Sequence, residues 1–193
     1  MQHHGDHQHH HDQRAIQEMI GYQGFALFHG GGSTTRPWSH TIGLYDSEHE
    51  RPELFICGLP KQLRVAWLLD LGFRMKGPPS HRALEAESRA RGIAIEALSY
   101  PPGGEVFRPG KIYRFAQGDL PGCFGEVAPR FYENYLWHAR FQHGHDGFPV
   151  LQYVFSDTRG YFPWSMGCEA GTRLAQVLLF DPRQYLPLLE DEA

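Results

Sequence analysis

The chain has no run of the roughly 18 apolar residues that a membrane-spanning helix needs. Its N-terminus is polar and histidine-rich, where a secretory signal carries a cationic start and an apolar stretch. Cysteine is scarce as well. Cys57, Cys123 and Cys168 are odd in number, widely spaced and without a C-x-x-C pair, which argues against a disulfide framework or a zinc knuckle and leaves reduced thiols used mainly in packing. Positive charge is not in excess either. The 18 Lys and Arg against 22 Asp and Glu give a net charge of −4, so no basic field is available to hold a phosphate backbone. These absences point to a cytoplasmic protein with neither nucleic acid nor membrane as partner. No internal repeat, Gly-x-Ser-x-Gly elbow or dinucleotide-binding glycine fingerprint occurs.

What is present suits one core. The 193 residues are 41% hydrophobic, enough for a single domain over residues 14–193 and too short for two domains with a linker. Residues 1–13 stand apart as a disordered, solvated tail. After Met1 the first twelve contain no hydrophobic residue and include six of the 13 histidines, so they cannot bury enough surface to fold. Those six, His3, His4, His7, His9, His10 and His11, offer several neutral imidazoles on a pliable chain, a set that can take up Zn²⁺, Ni²⁺ or Cu²⁺.

Periodicity orders the rest. Ala15, Ile16, Met19 and Ile20 predict a short helix over 12–20, stopped at Gly21. Strands are expected at 23–29, 38–45 and 53–57, the last two joined as a hairpin through the polar link 46–52. Leu63, Ala66, Trp67 and Leu71 recur at helical spacing over 61–75, the apolar stripe of a helix lying on a sheet. A second, more charged helix is expected at 82–91 and a third at 129–142. Further strands are expected at 93–98, 111–115, 148–155 and 174–180. Strands come in runs, with too few helices between them for a βαβ repeat. The fold class is therefore α+β, a mixed and mostly antiparallel sheet with helices packed on it.

Two distant segments carry a resemblance. Thr41-Ile-Gly-Leu44, Pro52-Glu-Leu54 and Gly58-Leu-Pro60 are followed much later by Leu151-Gln152, Asp157, Gly160 and Phe162-Pro-Trp164. In order and spacing this resembles the bacterial domain of unknown function 4262 (DUF4262), over roughly residues 23–168. The chain departs from that pattern at His40, where an aromatic residue is more usual, in its histidine-rich tail and in the stretch 84–108. The resemblance implies a fold and no activity.

Candidate chemistry therefore rests on the residues. If the two segments lie side by side in one sheet, Thr41, Glu53, Gln152, Asp157 and His40 gather at one edge, with Trp38 and Trp164 as aromatic walls. This describes a polar patch for a small molecule or a protein partner, with Trp38, Thr41, Gln152 and Trp164 as ligand contacts. The alternative is a hydrolase-like enzyme in which Glu53 or Asp157 is the general base and His40 the acid or a metal ligand. A third reading, a partner-neutralising protein of the toxin-immunity kind, rests on size, acidity and the lack of a catalytic motif.

Each candidate also has a structural reading. Glu53 and Gln152 can satisfy backbone groups, and Asp157-Thr-Arg-Gly160 has the composition of a tight turn. Gly30-Gly-Gly-Ser-Thr-Thr-Arg36 brings amides, hydroxyls and a guanidinium that can hold a phosphate or carboxylate. It precedes a strand, however, and reads better as a flexible connector. His138, His143, His145 and Asp146 contain the parts of a facial metal triad but read better as a solvated helix end. Cys57, in an apolar strand, is a poor nucleophile.

Overall fold

The protein is described by a computed structural model covering residues 5–31, 36–115 and 120–185, with backbone alone for 5–12. Six strands form one open sheet: β1 (Ala26–Gly30), β2 (Trp38–Ile42), β3 (Glu53–Cys57), β4 (Ile112–Tyr113), β5 (Gly122–Glu126) and β6 (Val150–Phe155). The spatial order is β1-β2-β3-β6-β5-β4. Neighbours are antiparallel except the central pair, where Glu53–Ile56 of β3 run parallel to Val150–Tyr153 of β6. The sheet is mixed and mostly antiparallel, and the class is α+β as the pattern of elements implied.

Helices α1 (Gly5–Gln23), α2 (Lys61–Lys76), α3 (His81–Arg91), α4 (Tyr132–Tyr135), α5 (Trp137–His143) and α6 (Ala170–Ala175) complete the domain. No helix among the described residues is long and apolar enough to cross a membrane. The sheet is covered on both faces, which explains why β3 and β6 read as continuous apolar runs rather than alternating ones. Leu54, Ile56, Leu151, Tyr153 and Phe124 point to the side of α2, where they pack with Leu68 and Leu71. Residues of opposite parity, Trp38, Phe55, Cys57 and Val150, pack with Tyr132 of α4, Leu136 between α4 and α5, and Ala139 of α5. Cys123, Val154, Phe162 and Phe180 form a third, smaller cluster.

Several boundaries differ from the sequence reading. Helix α1 begins at Gly5, inside the stretch expected as a solvated tail, and continues to Gln23, past the expected stop at Gly21. Residues 93–98 are not a strand; Ile95–Ala97 make one 3₁₀ turn beyond the left-handed cap of α3 at Gly92. The stretch 129–142 is broken into a 3₁₀ turn, α4 and α5, because Leu136 leaves helical geometry at φ −127°, ψ 18°.

Residues 174–180 are not a strand: Leu174 and Ala175 end α6, and residues 176–180 leave it as a segment tied by side chains rather than by a ladder. The Gln176 amide exchanges hydrogen bonds with the backbone of Phe155, at 3.0 and 2.8 Å, and Gln152 does the same for Val177 and Leu179. Strand β5 has no counterpart in the sequence reading because Gly122 and Gly125 removed its apolar signal. Both glycines are demanded by packing: a Cβ would lie 2.2 Å from Tyr153 at the first and 2.4 Å from Phe180 at the second.

Candidate functional site

Glu53 opens β3 and is fully buried. Its Oε1 accepts the backbone amides of Gly43, Leu44 and Tyr45 at 2.7, 3.1 and 3.3 Å. The Thr41 hydroxyl donates to Oε2 and itself accepts the Leu54 amide at 2.8 Å. His143, in the last turn of α5, donates from Nε2 to Oε1 at 2.7 Å, since an ionised carboxylate can only accept. The chain just past β2 is thus folded around a carboxylate in place of a ladder partner. Burial alone would raise the proton affinity of Glu53, but the hydrogen bonds from His143 and Thr41, the His143 charge and the Tyr45 amide together hold its pKa below the usual carboxylate range. A group so fully engaged is a weak proton acceptor.

The other predicted residues are engaged elsewhere. Gln152 donates to the Val177 carbonyl at 2.6 Å and accepts the Leu179 amide at 2.8 Å. Asp157 accepts the amides of Arg159, Tyr161 and Glu169 at 3.0, 2.9 and 2.9 Å, which closes the turn and anchors the start of α6. Parallel pairing sets Glu53 beside Val150, so Asp157, seven residues farther along, lies about 20 Å away at the opposite end of the sheet.

His40 donates from Nδ1 to the Thr41 carbonyl at 2.7 Å, and its buried Nε2 has no partner among the described residues. Desolvation drives its pKa down to about 4, so it sits neutral between the rings of Trp38 and Phe28. His40, Glu53 and Asp157 therefore do not converge. Trp38 packs against Phe55 and Tyr135, whereas Trp164 stacks on Phe162 at 4.9 Å in a different cluster. Thr41 and Gln152 serve Glu53 and the 177–179 segment. Cys57 is pushed up to about 11 by burial, in keeping with its apolar strand.

The four-residue metal set also separates. His143 is on Glu53, Asp146 pairs with Arg140 at 2.9 Å, and His138 lies against the rings of Phe28 and Trp137. Of the tail, His3 and His4 lie outside the described residues, as do the side chains of His7, His9, His10 and His11. Among the described residues, Asp46, Glu48 and His49 bring ligand atoms within 4.8 Å of one another. There Asp46 already accepts the Glu48 amide, His49 Nδ1 and the Arg51 guanidinium, as a turn lock does.

A different place combines charge with space. Past the end of β3, Gly58-Leu-Pro60 turns into α2, with Gly58 at φ +82° and so close to α6 that a Cβ would lie 2.9 Å from the Ala175 carbonyl. Pro60 occupies the N-cap without any side-chain acceptor, and the first turn of α2 contains no acidic residue. Lys61 and Arg64 stand there instead, against the helix dipole. With Arg36, Leu59, Leu174 and neighbouring backbone they line an open groove of about 540 Å³.

Arg64 is only 3% exposed. Its Nε donates to Ser39 Oγ at 2.8 Å and its Nη1 to the Leu59 carbonyl, while no described group accepts from Nη2. Ser39 is linked onward to His29 Nδ1 at 2.8 Å, and His29 is held below its ordinary proton affinity by burial and by the Lys61 and Arg64 charges. Among the described residues no carboxylate lies within ion-pair reach of Arg36, Lys61 or Arg64. Two smaller cavities, of about 220 and 290 Å³, each contain a carboxylate beside their basic residues.

Sequence reasoning missed this groove. It took Gly58-Leu-Pro60 only as part of the family resemblance and Arg36 as part of a connector. The signal that could have found it is Lys61-Gln-Leu-Arg64, two cations in the first turn of a helix where acids are favoured.

A family model described as Domain of unknown function (DUF4262) matches residues 19–169. No curated protein and no solved structure matches the chain.

Proposed function

The chain belongs to the DUF4262 family, and from that premise we propose that it is a ligand-binding module that holds a small organic anion in the groove at the start of α2. The observation that carries this reading is the cluster of three cations, Arg36, Lys61 and Arg64, around an open volume with no carboxylate partner among the described residues. Natural surfaces neutralise such clusters with neighbouring acids, as Asp70 does for Arg74 at 2.7 Å two turns farther along the same helix. The volume, about 540 Å³, suits a metabolite-sized ligand. The overall charge of −4 disfavours a long polyanion. Free, buried thiols at Cys57, Cys123 and Cys168 fit a reducing, cytoplasmic setting.

No observation of comparable weight supports the hydrolase or the partner-neutralising alternative. Glu53, the general base of the hydrolase reading, is engaged by five donors. Amide chemical-shift mapping with benzoate and phenyl phosphate tests the proposal. The expected result is a concerted shift at Gly58 and at the 61–64 amides, weakened by added salt and absent in the double variant Arg36→Ala, Lys61→Ala. Shifts confined to other regions, or undiminished in that variant, would overturn it.

A further inference from the structure

Resting on the anion-binding reading, we infer that the group recognised in the groove is a phosphoryl head carried on a compact apolar body, and that the groove holds this phosphate monoester without cleaving it. The number and kind of donors argue for the head. In α2 the Arg64 amide bonds to the Pro60 carbonyl, which leaves the amides of residues 61–63 without intrahelical partners, and no side chain among the described residues caps them. To these the groove adds the Lys61 ammonium, the Arg36 guanidinium and the one unengaged corner of Arg64.

A carboxylate brings two oxygens and a single charge, too little for three cations and several amides. A phosphate monoester brings three terminal oxygens and a charge of about −1.5 to −2 at neutral pH. Arg64 adds rigidity. Two of its nitrogens are tied to Ser39 and Leu59, so this lining side chain is already held in place and loses little further entropy on binding.

The apolar body follows from the rest of the lining. Leu59 and Leu174 flank the cations, and Leu174 is 62% exposed on the rim, an apolar surface that a hydrocarbon or aromatic moiety would cover. Retention without cleavage follows from what the lining offers. Beyond Arg and Lys it consists of Gly, Ala, Pro and Leu, so the described lining has no carboxylate, imidazole, hydroxyl or thiol to activate a nucleophile or protonate a leaving oxygen.

Isothermal titration of the full chain with phenyl phosphate, benzoate and inorganic phosphate, at low salt and neutral pH, tests this. Phenyl phosphate is expected to bind about tenfold tighter than either of the others, and to lose about tenfold in each of Arg36→Ala and Lys61→Ala. Both residues are exposed, so these variants fold. Benzoate binding as tightly as phenyl phosphate would overturn the phosphoryl head while leaving the anion site in place. Inorganic phosphate matching phenyl phosphate would overturn the apolar body. Release of phenol on prolonged incubation, lost in Lys61→Ala, would overturn retention. No heat and no amide shift with any of the three would remove the phosphoryl inference and the anion-binding reading together.

Discussion

At the start of β3 a buried carboxylate, Glu53, is surrounded by five donors. Past its end, cations stand around a groove with no carboxylate in reach among the described residues. Both places are polar, but only the first is closed. Five donors on one carboxylate turn the cost of burying charge into a fastening that fixes how the chain leaves β2 and where α5 ends. Unneutralised charges at a helix N-terminus do the reverse, costing local stability and leaving an attraction for something outside the chain. A buried polar group is therefore no guide to function until its partners are counted.

The largest effect should come from emptying the closed end. Glu53→Ala leaves amides, a hydroxyl and an imidazole facing a cavity, and should cost about 3–5 kcal/mol in urea unfolding. Glu53→Gln, which keeps one acceptor oxygen, should cost less. A loss under about 1 kcal/mol for the alanine variant would break the comparison at its stabilising side.

Acid should act on the same side of the sheet. His40 has a folded pKa of about 4 against an ordinary 6.5, so between those values the unfolded chain binds a proton that the folded chain does not. Stability therefore falls as pH drops through that window, with a slope of up to about 1.4 kcal/mol per pH unit from this group. Glu53, with its folded pKa lowered, contributes stability above the usual carboxylate range and loses it as pH falls through its own folded value. Urea midpoints across the His40 window should show a shallower slope in His40→Phe than in the parent; equal slopes would remove His40 from the account.

A smaller effect should come from packing alone. Gly125→Ala places a methyl 2.4 Å from the Phe180 ring and should cost about 1–3 kcal/mol by thermal or urea unfolding. Adding Phe180→Leu should recover part of that, and strict additivity of the two losses would show that the contact is not the cause.

The smallest stability change belongs to the open end. Lys61→Glu replaces a cation with an acid in the first turn of α2 and should raise stability by about 0.3–1 kcal/mol while abolishing phenyl phosphate binding. Destabilisation by this variant would mean that Lys61 is part of the fold's fastening, and the contrast between the two ends of β3 would fail.

Much of the architecture was legible because apolar periodicity survives any environment. Glu53–Cys57 is a strand at the boundaries its composition implied, and α2 extends one residue past its predicted end at Met75. Strand β5 was invisible because Tyr153 and Phe180 need the space a side chain would fill, and no local pattern records a neighbour 31 or 55 residues away. The segment 176–180 was misread for the same reason, its backbone partners being supplied by tertiary neighbours, Gln152 foremost. The candidate site divides likewise. Glu53, Gln152 and Asp157 were singled out correctly as polar residues that need explaining, but the structural reading of each is the one their partners support.

The sequence by itself determined the α+β class, the absence of a long apolar helix, the apolar strands of the sheet centre and the odd basic opening of α2, because these depend on residue type and spacing along one chain. Only the tertiary structure decided which polar groups are spent and which are free. That distinction depends on partners brought together from distant positions: Thr41 and His143 at Glu53, and Arg36, Lys61 and Leu174 around one groove. A hydrogen bond or an unneutralised charge exists only once those positions meet.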